Sequence, residues 1–169
     1  VYHIPDSALP YSLEHLQKHK PTETEHTSTE THESSLHLDG PLRTLVVDDA
    51  VTNRKLLARL LERRGHSCDQ AKDGQEAVQK VMESLKNGNP YATILMDYEM
   101  PVMDGPTASK EIRALGCDSL IVGVTGNALP EDIAHLRSCG ANAVLIKPFQ
   151  MEALEEILVE FGVTLQSSN

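Results

Sequence analysis

From Leu42 onward, apolar residues fall into short blocks with two alternating spacings. Leu45-Val46-Val47 is a continuous apolar run that stops at Asp48-Asp49. It reads as a strand buried on both faces. Val51 to Arg64 follows with Leu56, Leu57, Leu60 and Leu61 at helical spacing, and Gly65 suits its C-terminal cap. A short strand is expected near Ser67 to Ala71. A helix then runs from Gly74 to about Lys86, carrying Ala77, Val78, Val81, Met82 and Leu85 on its inner face. The Asn87-Gly88-Asn89-Pro90 turn leads into Thr93-Ile94-Leu95-Met96-Asp97, a second buried run that ends in a carboxylate. Thr107 to Leu115 reads as a helix, Leu120 to Thr125 as a strand, and Pro130 to Cys139 as a helix stopped by Gly140. Ala143 to Lys147 is the last strand and Met151 to Phe161 the last helix. Strands alternating with helices imply an α/β domain: a parallel sheet covered on both faces and joined by right-handed crossovers.

Residues 1–41 have a different character. They hold six of the eight histidines and a Thr/Glu/His/Ser segment from Thr22 to Ser35. Seven acids against two bases give them half of the formal net charge of -10 in a quarter of the length. Few apolar residues are present to offset the entropy of ordering, so this stretch reads as a linker or tail. Leu9 to His19 is a candidate short helix, and His15 a weak candidate for phosphotransfer. The domain proper is expected over 42–163, with a tail at 164–169. Val1 in place of Met reads as the start of a fragment.

An acidic chain lacks the basic face that nucleic-acid binding requires. Cys68, Cys117 and Cys139 show no metal-ligand spacing and read as reduced thiols, which suits the cytoplasm. No apolar run approaches the roughly eighteen residues of a membrane span, so no membrane contact is expected.

In a parallel sheet the carboxyl ends of all strands lie on one edge, where open α/β folds place ligand chemistry. Here those ends carry Asp48 and Asp49, Asp97, Thr125 and Lys147. Crowded carboxylates repel, and an oxygen-only cluster relieves that cost by taking Mg²⁺, which keeps several waters and accepts phosphate as a further ligand. A lysine and a hydroxyl nearby supply charge and a donor to an incoming phosphoryl group.

These pieces, in order, are Val46-Val47-Asp48-Asp49, Met96-Asp97, Met100-Pro101-Val102-Met103-Asp104-Gly105, Val124-Thr125-Gly126-Asn127-Ala128 and Ile146-Lys147-Pro148-Phe149. From Leu42 to about Val163 the chain resembles the receiver domains of two-component response regulators. The resemblance implies a flavodoxin-like sheet of order 2-1-3-4-5 with helices on both faces. It implies Asp97 as phosphoacceptor, with Asp49, Asp97 and the backbone carbonyl of Glu99 as Mg²⁺ ligands and Asp48 acting through water. Lys147 would pair with Asp97, Thr125 would donate to the phosphoryl group, and Glu99 and Asn127 would tune hydrolysis. A cis Lys147–Pro148 peptide is also implied. The implied donors are a histidine kinase dimerisation domain or a histidine phosphotransfer protein, docking near Val51 and Lys55.

One departure concerns the position three residues before the lysine. An aromatic switch residue is common there, and this chain has Val144. Asp48 to Arg54 resembles receivers fused to sensor kinases, which favours part of a hybrid histidine kinase over a stand-alone regulator or phosphorelay intermediate. An aspartyl-nucleophile phosphatase is the distant alternative, but its acid–base Asp would stand where this chain has Glu99. Oligomeric state is left open, with Glu131–Arg137 and Glu152–Glu160 as a candidate pairing surface.

Overall fold

The structure, a computed structural model, describes residues 41–163. The readings of residues 1–40, His15 included, and of the 164–169 tail lie outside the described residues. Five strands and five helices alternate: β1 Arg43–Val47, α1 Val51–Glu62, β2 Ser67–Ala71, α2 Gly74–Lys86, β3 Thr93–Asp97, α3 Gly105–Ala114, β4 Leu120–Thr125, α4 Pro130–Ser138, β5 Ala143–Ile146 and α5 Met151–Glu160. All pairings are parallel and the strand order is β2-β1-β3-β4-β5.

Successive residues of each central strand serve opposite cores. Leu45, Val47, Ile94, Met96 and Ile121 pack with Ala77, Val81, Ala108, Ile112 and Leu136 of α2, α3 and α4. Val46, Leu95 and Val122 point the other way, toward Ala58, Leu61, Leu154 and Leu158 of α1 and α5. Both faces are therefore dry, which is why these strands read as continuous apolar runs.

The helix α1 departs from its simple stripe. Leu61 is buried, but Leu56 is 58% exposed, and Ala58 takes the inward position instead. Ala58 packs in the core shared with Leu61, Leu154 and Leu158. The helices α2 and α3 start on carboxylate caps: Asp73 accepts from Glu76 N and Asp104 from Thr107 N, both at 2.8 Å. The loop before α3 carries local strain. Val102 has φ 71, and Met103 N donates to Pro101 O at 2.8 Å across it, a γ-turn of the rare positive-φ kind.

His66, at the turn into β2, is buried, and its Nδ1 lies 2.9 Å from Thr44 Oγ1. Burial lowers its pKa from 6.5; Glu155 opposes this and Arg64 adds to it. A depressed base binds fewer protons in the folded than in the unfolded chain. Stability is therefore intact above pH 6.5 and declines as pH falls from there toward the folded-state value. Melting curves across this window should show a smaller decline for His66→Asn than for the wild type. Parallel slopes would show that His66 does not contribute.

Candidate functional site

Parallel register builds the site. Val47 sits opposite Met96 and Asp97 opposite Val124, so the residues that follow β1 and end β3 share one edge with the end of β4. Thr125 pairs with Ile146, and Lys147 N donates to Thr125 O at 2.7 Å, which places the lysine one residue beyond β5 on the same edge. Residues far apart in the chain meet there because the crossovers all return the chain to the opposite edge.

Asp48 and Asp97 are buried, whereas Asp49 is exposed at the rim. Their carboxylates each offer an oxygen within 4.8 Å of the others. Lys147 Nζ donates to Asp97 Oδ1 at 2.9 Å and to Asp48 Oδ2 at 3.0 Å. Asp48 Oδ1 also accepts from Ala50 N at 2.8 Å, so both its oxygens are engaged. Asp97 Oδ1 accepts a further bond from Tyr98 N at 3.1 Å. Its Oδ2 has no hydrogen-bond partner among the described residues, and Asp97 lines an open cleft of about 820 Å³. Asp49, Glu99, Met100, Asp104, Asn127 and Lys147 line the same cleft.

Burial raises the Asp97 pKa and outweighs the bond and charge of Lys147; the nearby Asp48 charge pushes the same way. Burial pulls Lys147 down, but bonds to Asp97 and Asp48 and their charges outweigh it, so its pKa rises. The lysine is therefore a fixed cation, while the carboxylate it faces is held at a cost that a further cation would relieve.

Thr125 lies at the end of β4, with its hydroxyl turned to Asn127: it accepts from Asn127 N at 3.0 Å and donates to Asn127 O at 3.2 Å. The Lys147–Pro148 peptide is cis. Val144 on β5 is half-buried.

Two supports were not identified from sequence. Arg54 Nη1 donates to Asp48 O at 2.6 Å and reaches Asp49 O at 3.5 Å, which fixes the loop bearing both acids. The helix it stands on has no side-chain cap at Ala50, and the guanidinium, a donor, braces the preceding loop through its carbonyls rather than capping the helix N–H groups. A cation in the first turn opposes the helix dipole, and that mismatch was the available signal. Gly105 is the second: a Cβ there would lie 2.1 Å from Asp97 O, so only glycine lets α3 approach the end of β3.

Comparisons with known proteins agree with this arrangement. The model of the response regulator receiver domain matches residues 44–159. The two-component response regulator ORR41 of Oryza sativa is 37% identical over 71% of this chain and 94% of its own length. Several histidine kinases are also similar, but the chain spans only 6–12% of their length. The crystal structure of the receiver domain of the histidine kinase CKI1 from Arabidopsis thaliana, complexed with Mg²⁺ and BeF3⁻, has a TM-score of 0.65 at 31% identity. That match covers 72% of this chain and 90% of the other. The receiver domain of Ssk1 from Saccharomyces cerevisiae, in co-crystals with the histidine phosphotransfer protein Ypd1, is similar with a TM-score of 0.64 at 28% identity. It covers 73% of this chain and 90% of the matched chain.

Proposed function

This chain belongs to the response regulator receiver domain family of two-component systems, and from that premise we propose that Asp97 takes a phosphoryl group from a phosphohistidine. The observation that carries the proposal is the pairing at Asp97, a residue that lines the cleft: Oδ1 is held by Lys147 at 2.9 Å, and Oδ2 has no hydrogen-bond partner among the described residues. The accessible oxygen attacks phosphorus in line, a P–O bond forms, and the P–N bond to the histidine breaks as imidazole leaves. Such a transfer needs positioning and charge neutralisation more than covalent machinery. Lys147 meets the equatorial oxygens, and Thr125 donates its hydroxyl after turning from Asn127. Glu99 and Asn127, on the cleft wall, set how water reaches the acyl phosphate.

The donor set fits Mg²⁺: three carboxylates converge, with no nitrogen or sulfur ligand among them. Asp49, Asp97 and the backbone carbonyl of Glu99 would hold the ion directly. Asp48 would act through water, because Lys147 and Ala50 N already occupy its oxygens. The bound ion supplies neutralisation of the charge that gathers on the phosphoryl oxygens.

The phosphodonor is a histidine kinase dimerisation domain or a histidine phosphotransfer protein. Docking over α1 is supported by Val51 and Leu56, which are 50% and 58% exposed beside Lys55. The resemblance of Asp48 to Arg54 to kinase-fused receivers and the likeness to the CKI1 receiver support a place in a hybrid histidine kinase. A stand-alone regulator is the second reading, favoured by the coverage of ORR41. No helix among the described residues is long and apolar enough to cross a membrane. We assign the domain to the cytoplasmic side together with its proposed histidine phosphodonor.

The test is incubation with Mg²⁺ and a small acyl-phosphate donor, followed by intact mass. One phosphoryl adduct that is lost when EDTA removes the metal is the expected result. Reductive trapping should place it at Asp97. An adduct that forms equally well without a divalent cation would overturn the metal assignment, and one placed elsewhere would overturn the acceptor.

A further inference from the structure

Outside the carboxylate cluster, two polar side chains, one from the loop after β3 and one from the loop after β4, meet on one carboxylate. Asp132, in the first turn of α4, accepts from Asn127 Nδ2 on its Oδ2 at 2.7 Å and from the Tyr98 hydroxyl on its Oδ1 at 3.4 Å. Tyr98 directly follows Asp97. Asn127 directly engages Thr125 through its backbone, and its Oδ1 accepts from Leu129 N at 3.3 Å. The residue that follows Asp97 and the residue that engages Thr125 are thus fastened to the same helix. The N-cap of that helix, Leu129, provides no side-chain hydrogen bond, so these two bonds and the one from Leu129 N to Asn127 Oδ1 attach its start to the site.

A threonine hydroxyl has one proton. Here that proton goes to Asn127 O. If it goes to a phosphoryl oxygen, the bond to Asn127 O is lost, and the segment 126–129 loses a bond of its present arrangement. That arrangement is also held by Asp132. On the other side, Val144 offers neither a ring nor a hydroxyl that could follow Thr125.

Resting on the reading of Asp97 as phosphoacceptor, we propose that Asp132 is a positioning residue that sets how readily the site takes a phosphoryl group. It holds Asn127 and Tyr98, and through Asn127 the Thr125 hydroxyl, in the arrangement in which that hydroxyl is bonded to Asn127. Bonds made only in one of two arrangements favour that arrangement, and they lower the affinity of any ligand that needs the other. Tyr98 supplies the aromatic hydroxyl of this device from the residue after β3.

Beryllofluoride with Mg²⁺, titrated into the full chain and followed by the amide resonances of Tyr98 and Asn127, tests this. Asp132→Ala is expected to bind about three- to tenfold tighter than the wild type, the factor that one or two exposed hydrogen bonds represent. Tyr98→Phe, which removes one hydroxyl, should bind tighter by a smaller factor, and Asp132→Glu should return toward the wild type. The affinity for Mg²⁺ alone should not change. Tighter analogue binding together with an equal or lower melting temperature is a result that a purely structural role would not give. Equal or weaker binding by both Asp132→Ala and Tyr98→Phe would overturn the proposal. Binding by none of the proteins, wild type included, would instead overturn the phosphoacceptor reading and the proposal with it.

Discussion

Asp97→Asn is expected to abolish the phosphoryl adduct completely while leaving the protein as stable as the wild type or more so. Loss of the adduct follows from the chemistry, because a neutral amide oxygen is no nucleophile at this position and the variant removes a charged ligand from the metal cluster. The stability expectation follows from the sign of the pKa shift. Burial raises the Asp97 pKa above 3.8, so the folded chain holds this proton more tightly than the unfolded one. Between those two values the unfolded state ionises first, and stability declines as pH rises through the window. At neutral pH the wild type therefore carries a buried carboxylate that works against folding, and asparagine removes it. Lys147 keeps Asp48 as a partner at 3.0 Å. Intact mass and thermal melting check both parts. An adduct that persists in the variant sinks the acceptor assignment, and a marked fall in melting temperature sinks the electrostatic account.

The second large effect is expected at Lys147→Met. Removing one preorganised donor from a site where charge develops costs about 10²–10³ in rate, and phosphorylation from the small donor should slow by that order. The same variant leaves Asp48 and Asp97 facing each other without the cation that bridges them. Breaking a buried pair costs about 3–5 kcal/mol, but the lysine side chain is 31% exposed, so about 1–3 kcal/mol is expected here. Mg²⁺ affinity should rise, because the carboxylate cluster has lost its competing positive charge. Urea unfolding with and without Mg²⁺ measures this, since the metal should restore much of the lost stability by mass action. A variant that phosphorylates at the wild-type rate, or that binds Mg²⁺ more weakly, would show that Lys147 is not the cation the chemistry depends on.

Much of the fold was legible in the chain because the relevant signals are local. Apolar runs such as Thr93 to Asp97 are bounded by turn residues, and Gly65 and Gly140 mark the ends of α1 and α4 with φ 87 and φ 110. β2, α2, β3 and β4 fall at the residues read for them, and the other boundaries differ by one or two residues. The convergence of Asp48, Asp97 and Lys147 was also legible, since a parallel sheet leaves no other edge for strand-end residues. The order of the strands came from the family resemblance and is the order found.

What the sequence alone determined, then, was the set of elements and the chemistry carried at their ends, because periodicity, caps and strand termini depend on neighbours in the chain. The tertiary structure alone decided which surface each side chain meets. Ala58 rather than Leu56 faces the core because the way α1 seats on the sheet, not the apolar count, decides which side of the helix is covered. Arg54 reaches back to Asp48 O because the turn into α1 brings that carbonyl within reach of its guanidinium. Asp132 gathers Tyr98 and Asn127 because α4 packs where the ends of β3 and β4 emerge. Those contacts join residues 34 and 5 positions apart at side-chain tips. No periodicity encodes them, since they depend on how helices seat against the sheet, and that is fixed by packing of the whole domain.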